Sequence, residues 1–211
     1  MARHDPNRQL TPRTRLETFS DGVIAISITL TVLSIQVPKG VPTSQVGSAI
    51  LDLIPDVGNY LLSFVVIGAF WMSHHLALDR IERVDRRIIL TNLLFLAAIS
   101  LVPLVTTLLN EYSVAVSVMT YASVMMVAAL SELAIWLHAE RHGLVTEGVV
   151  DEERADRRAR LLTVVAVFAV SIPVALVSIL VAQLMWLLVF LSVPLARLRR
   201  RRAAPAPGSR R

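Results

Sequence analysis

The chain has 211 residues, 55% of them hydrophobic and 18% charged, with a mean hydropathy of +0.62. An ordinary soluble domain is about 45–50% apolar and about 25% charged, so this composition excludes one; the length suits about six membrane spans with short loops and leaves little room for a catalytic domain. The net charge of +5 does not by itself point to nucleic acid, because the basic residues sort by position, as shown below. Cysteine is absent, which excludes disulfides, thiolate metal sites and thiol nucleophiles.

Residues 1–12 are polar and lead to no small-residue cleavage site, so the first apolar run reads as a retained span rather than a signal peptide. Uncharged runs lie at 22–38, 57–78, 88–110, 112–131 and 161–196, with lengths of 17, 22, 23, 20 and 36. At about 1.5 Å of rise per residue and about 30 Å of hydrocarbon, each of the first four fits one helix. The fifth is too long for one and contains Pro173, Gln183 and Pro194, so it reads as two spans with a tight turn around 177–183. The predicted helices are 15–37, 50–76, 86–110, 112–139, 158–178 and 181–200. They form a domain over 15–202 between a cytoplasmic segment at 1–14 and a disordered tail at 203–211.

Of the 21 basic residues, 20 are arginines, a bias that hints at a GC-rich bacterial genome. Six spans with the amino terminus inside put all 20 arginines in cytoplasmic segments and leave Lys39 alone outside, the asymmetry expected of short loops. A single fifth span would carry the carboxy-terminal arginines to the other side. The expected architecture is therefore an all-α integral membrane protein with six transmembrane helices and both termini cytoplasmic, in a bacterial plasma membrane. The stretch 139–160 mixes acids with arginines and reads as solvated extensions of helices four and five, while the arginine cluster at 197–202 reads as a stop that holds the last helix in place, the alternative being a site for anionic lipid or regulation.

The first helix is more polar than a lipid-facing span allows, carrying Ser20, Asp21, Ser27, Thr29, Thr31, Ser34 and Gln36. It belongs inside a bundle. Gly22, Ile26, Thr29, Leu33 and Gln36 recur at steps of 4, 3, 4 and 3 and share one stripe. Ser20, Ser27, Thr31 and Ser34 lie on another side, where hydroxyls bond a neighbouring helix or their own backbone. Composition leaves two readings of this helix open, a tightly packed element or the wall of a pore.

Near its start, Arg15 and Asp21 approach the membrane boundary at the depth of Trp71, His74 and His75 on the second helix and Asn92 on the third. Thr18 with Asp21 also has capping-box spacing. A hydrogen-bonded network of histidine, Asn92, Ser20 and Asp21 tying three helices together fits this placement, either as a structural tie or, since histidine titrates near neutrality, as a proton-sensitive element.

The run Arg15-x-x-x-Phe19-Ser20-Asp21-Gly22-Val23-Ile24-Ala25-Ile26-Ser27-Ile28-Thr29-Leu30 resembles the first-helix signature of the transmembrane protein 175 family, lysosomal potassium channels and their bacterial relatives. The resemblance continues through Trp71-Met72-Ser73-His74-His75, Asn92-Leu93-Leu94 and Ile99-Ser100-Leu101-Val102-Pro103. It implies a potassium-permeable channel in which single-unit bacterial chains form homotetramers and the first helix lines a central pore. Carried over from Phe19, the constriction falls on Ile26, a hydroxyl layer on Thr29 and a second apolar layer on Leu33, three members of the periodic stripe. Arg15, Phe19, Ser20 and Asp21 are implied as anchors of the pore helix, with Trp71, His74, His75 and Asn92 in support. The implied partners are potassium ions, further copies of the chain and the lipid bilayer, with no cofactor and no nucleic acid.

The filter that strips potassium with backbone carbonyls has no counterpart here, since no Gly-Tyr-Gly occurs. The resemblance implies instead an apolar ring that sets a dehydration barrier, lower for potassium than for sodium. Enzyme chemistry finds little support: His138 and His142 have metal-ligand spacing without an evident third ligand, and no phosphate loop or nucleophile elbow is present. A proton-coupled secondary transporter would place an ionisable residue near the midplane, where this chain has only hydroxyls. That transporter and a non-conducting structural membrane protein are the alternatives to a channel.

Overall fold

A computed structural model describes residues 12–191. Helix α1 (Pro12–Leu30) runs into a 3-10 turn at Thr31–Ser34. A short α2 (Val46–Leu51) precedes α3 (Ile54–Leu78), α4 (Arg86–Ser100), α5 (Val102–Glu111), α6 (Ala115–Arg141), α7 (Asp151–Ala175), α8 (Ile179–Trp186) and α9 (Leu188–Leu191). Five of the described segments are long and apolar enough to cross a membrane: Pro12–Ser34, Ile54–Leu78, Arg86–Glu111, Ala115–Arg141 and Asp151–Ala175. The beginning of the expected sixth helix coincides with α8 and α9. Its end, the arginine cluster at 197–202, the tail at 203–211 and residues 1–11 lie outside the described residues.

Helix ends depart from the hydropathy boundaries for local reasons. The second span starts at Ile54 rather than residue 50, because Pro55 suits only the first turn of a helix and breaks the chain from α2. The third span is interrupted at Leu101, two residues before Pro103, whose ring lacks an N–H and crowds the preceding turn. Helix α7 begins seven residues ahead of the expected 158, at Asp151-Glu152-Glu153, three carboxylates favoured by a helix N-terminus. The expected turn at 177–183 falls earlier: Leu176, Val177 and Ser178 leave α7, and the Ser178 hydroxyl caps α8 by accepting from the Val181 amide at 3.3 Å.

Helix α6 is the centre of the bundle, packed against α4, α5 and α7. Its small residues Ala122, Ala128 and Ala129 let neighbours approach, and aromatic rings fill the remaining space. Tyr121 stacks on Trp186 with centroids 4.4 Å apart, while Phe70 meets both Phe95 and Phe168 near 6 Å. At the end of the bundle where the described arginines gather, an antiparallel bridge between Ile81 and Val145 joins the loop after α3 to the loop after α6. Asp85 caps α4 there, accepting from the Ile88 amide at 2.8 Å, and binds His138 Nε2 at 2.6 Å. Partial desolvation acts to raise the Asp85 carboxyl, but the His138 contact and the backbone amides prevail and hold it below its usual value.

Candidate functional site

The first span is amphipathic in an inverted sense. Leu16, Ser20, Ile24, Ser27, Thr31 and Ser34 form one buried stripe, whereas Phe19, Gly22, Ile26, Thr29 and Leu33 are exposed. Four of the six buried residues carry hydroxyls, and the large apolar side chains Ile26 (59% exposed) and Leu33 (70% exposed) point away from the subunit. Three of the four hydroxyls are satisfied locally, which makes this burial tolerable in an apolar setting: Ser20 donates to the Leu16 carbonyl at 2.9 Å, Ser27 to Val23 at 2.9 Å and Thr31 to Ser27 at 2.8 Å. Small side chains on this stripe bring the α1 backbone close to its neighbours.

Two asparagines reach across to this buried face. Asn92 Nδ2 on α4 donates to Ser20 Oγ at 2.9 Å, and Asn110 Nδ2 on α5 donates to the Ser34 carbonyl at 2.9 Å. The second tie extends further, since Asn59 Nδ2 donates to Asn110 Oδ1 at 3.0 Å and Gln183 Nε2 to Asn59 Oδ1 at 3.1 Å. This chain of amides links α8, α3 and α5 to the end of the first span. Asn59 and Asn110 were not among the residues singled out from sequence; their signal is two amides bounding otherwise apolar runs.

At the arginine-rich end the expected network divides into separate contacts. Trp71 Nε1 donates to Asp21 Oδ1 at 2.8 Å, joining α3 to α1, and the indole stacks on His75 at 5.8 Å. His75 stands between Glu17 (3.5 Å) and Asp79 (3.8 Å), with Asp79 paired to Arg13 at 3.0 Å. His74 is buried and stacks on Phe95 at 4.4 Å rather than making a well-aligned hydrogen bond. Arg15 is exposed, and the ion pair from the start of α1 to α3 comes from Arg13. The single network expected from sequence is thus three attachments: Asn92–Ser20, Trp71–Asp21 and the Arg13–Asp79–His75–Glu17 group.

Glu17, His75 and Asp79 bring one ligand atom each to within 4.8 Å of one another, a spacing a cation would accept, although Arg13 already supplies positive charge to Asp79. His138 and His142 are each engaged in other contacts. The first binds Asp85, and His142 Nδ1 lies 3.0 Å from the His138 carbonyl.

A second polar cluster joins residues that lie far apart in the sequence. Glu132, 2% exposed on α6, accepts from Ser73 Oγ at 2.5 Å, while Arg157 Nη2 on α7 donates to the Ser73 carbonyl at 2.6 Å. The Arg157 guanidinium lies 4.8 Å over the Trp136 ring and 4.0 Å from the Glu132 carboxylate. The available signal was Glu132 itself, an acid directly after a 20-residue uncharged run, with arginines at the start of the following span.

Nothing in this arrangement resembles a nucleophile and its base. Its distinctive surface is the exposed stripe of α1, with Thr29 between two apolar residues and its hydroxyl donating to the Ile26 carbonyl at 2.8 Å.

Comparison with known proteins places this geometry. Residues 15–103 match the family model described as endosomal/lysosomal potassium channel TMEM175. A protein of Streptomyces collinus named as a potassium channel is 38% identical over 146 residues, covering 67% of this chain and 71% of that one. The Gallus gallus protein named endosomal/lysosomal proton channel TMEM175 is 32% identical over 141 residues, covering 61% of this chain and 28% of that one. The crystal structure of a lysosomal potassium-selective channel TMEM175 homologue from Chamaesiphon minutus superposes with a TM-score of 0.73 at 28% identity, covering 91% of this chain and 98% of that one.

Proposed function

The chain belongs to the endosomal/lysosomal potassium channel TMEM175 family, and from that premise we propose that it carries potassium passively across a membrane through a pore lined by α1 of four copies. It is a multi-pass integral membrane protein, and its activity is ion passage rather than covalent chemistry. The observation that carries the reading is the outward stripe of Phe19, Gly22, Ile26, Thr29 and Leu33 opposite a buried hydroxyl face. A helix in contact with lipid alone would turn its leucines and isoleucines outward and have no use for a Gly22–Thr29 line among them. A Cβ added to Gly22 meets nothing within 4 Å among the described residues, so these do not require a glycine there. In the four-fold reading, a glycine there suits the close approach of another copy.

In a four-fold arrangement, Ile26 forms an apolar ring, the Thr29 hydroxyls a layer of oxygens and Leu33 a second ring. An ion crossing the Ile26 ring sheds part of its hydration, which costs less for potassium than for the more strongly hydrated sodium. Each Thr29 oxygen keeps acceptor capacity while donating to the Ile26 carbonyl, so four of them meet a partly dehydrated ion nearby. So few oxygens give modest selectivity. The same reading includes six spans, both termini on the arginine-rich side, and Trp71–Asp21 with Asn92–Ser20 holding α1 in place.

Reconstituted flux tests the proposal: purified protein in liposomes is expected to dissipate a potassium gradient faster than a sodium gradient, with caesium also permeant, and to run as a tetramer by mass. Proton-coupled movement without diffusive potassium current favours the transporter, and a chain that conducts as a monomer or dimer removes the four-fold pore. A proton gradient run alongside addresses the vertebrate relative named as a proton channel.

A further inference from the structure

Helix α1 packs few large apolar side chains against the bundle, with Val23 and Ile28 partly buried on the core beside its buried stripe. Only Leu16 and Ile24 of its buried stripe are large and apolar. Its rotation about its axis, on which the presentation of Ile26 and Thr29 depends, is fixed in part by polar contacts to α3 and α4 and, through the 3-10 turn that follows it, to α5, of which Asp21–Trp71, Glu17–His75 and Arg13–Asp79 gather at the end of α3. Between residues 71 and 75 of α3, the side chains that reach into the bundle serve several neighbours at once. Trp71 and His75 hold α1 through Asp21 and Glu17, His74 stacks on Phe95 of α4, and Ser73 is held by α6 and α7.

The grip on Ser73 is the unusual element. Glu132 accepts its hydroxyl proton from one side, and Arg157 donates to its carbonyl at 2.6 Å from the other. Both ionisable groups are withdrawn from solvent, with side chains 2% and 16% exposed. Burying two opposite charges is a poor way to gain stability, because apolar residues of similar volume generally do as well. The pair also has imperfect geometry for mutual attraction at 4.0 Å, and Arg157 spends its short contact on a backbone carbonyl. What such an arrangement does supply is a defined placement of α3.

We propose that Glu132 and Arg157 are positioning residues for ion passage: they clamp α3 at Ser73, and α3 in turn sets the rotation of the pore-lining α1 through Trp71 and His75. The inference rests on the channel reading above. It assigns a role in permeation to two helices, α6 and α7, that supply none of the proposed lining residues. Neither residue touches the ion path, so the effect is exerted through a shift of α1 rather than through local charge.

The test separates placement from stability. In the full-length protein, Glu132→Leu with Arg157→Met removes both charges together and keeps the apolar stem over Trp136. This double variant is expected to keep the oligomeric mass and thermal midpoint of the parent, because no charge is left unpaired. Its potassium flux or its potassium-to-sodium permeability ratio is expected to change by about 2- to 30-fold, the range typical of coupling between packed elements. Parental stability with parental flux and ratio overturns the proposal and leaves the pair a structural one. Should the double variant not fold, Ser73→Ala, which loosens the same clamp without burying a lone charge, serves instead: a changed ratio at unchanged stability supports the clamp, and an unchanged ratio overturns it. A parent protein that carries no potassium flux refutes the channel reading beneath it, an outcome distinct from a conducting parent with an indifferent double variant.

Discussion

The inverted first helix predicts opposite consequences for one substitution at two positions. Ile24 is fully buried and Ile26 is 59% exposed, although they are two residues apart on α1. Isoleucine and asparagine have similar helix propensities, so Ile→Asn at either site perturbs surroundings rather than backbone. At Ile26 the subunit loses almost no packing, and its folding free energy is expected to move by less than about 0.5 kcal/mol. At Ile24 the amide replaces a close-packed side chain in a site shaped for isoleucine, at a cost of about 1–3 kcal/mol. Water-to-oil transfer figures do not apply in full, since lipid surrounds both end states.

Function is expected to move the other way. If each of four amides at the Ile26 ring returns only about 0.5 kcal/mol of hydration to a passing ion, the barrier falls by about 2 kcal/mol, or roughly 30-fold in rate. Potassium preference falls with it, because the barrier that discriminates is the one removed. Liposome efflux under potassium and sodium gradients reads the flux and the ratio, and thermal unfolding in detergent reads the stability. Ile26→Asn with parental flux and ratio, or with the larger stability loss of the pair, refutes the assignment of faces.

Three further expectations concern the attachments of α1. Asn92→Leu and Ser20→Ala each remove the same interhelical hydrogen bond, so each costs about 0.6–1.7 kcal/mol and the double variant little more; additive losses in an unfolding cycle show that the bond carries no coupling. Asp21→Asn keeps an acceptor for the Trp71 indole, whereas Trp71→Phe removes the donor while retaining a ring beside His75, so Trp71→Phe should shift the potassium-to-sodium ratio more. The reverse order in reconstituted flux identifies the Asp21 charge, not the bond, as the important property. The folded Asp85 carboxyl lies below its usual value, so its contribution is present above the ordinary carboxylate range and is lost as pH falls through the lowered value. Asp85→Asn, still a competent helix cap, should therefore flatten the acid side of the stability profile; an unchanged acid limb in detergent melts contradicts that role for the His138 contact.

How much was legible in the sequence depends on the range of the interaction. The α1 stripe of Ile26, Thr29 and Leu33 was readable because helical periodicity is a property of neighbouring residues, and the structure exposes those three together. Partners across helices were less readable. Of the single network expected from histidine, Asn92, Ser20 and Asp21, the Asn92–Ser20 bond forms, but His74 turns to Phe95 and His75 to Glu17 and Asp79, because histidine stacks or pairs according to what packs beside it. Arg13 rather than Arg15 pairs with α3, a difference of half a helical turn that only the register of α1 against α3 decides.

By itself the sequence determined that the chain spans a membrane, where the charges lie along it and which face of the first helix is distinct. Those are sums and periods along one dimension, and hydrocarbon thickness leaves few ways to satisfy them. Tertiary structure alone decided that the hydroxyl face of α1 is the buried one, that Asn59, Asn110 and Gln183 form one chain of amides, and that Glu132 and Arg157 meet at Ser73. A buried polar group must find a partner wherever packing offers one, and the partner of Ser73 on α7 lies 84 positions along the chain.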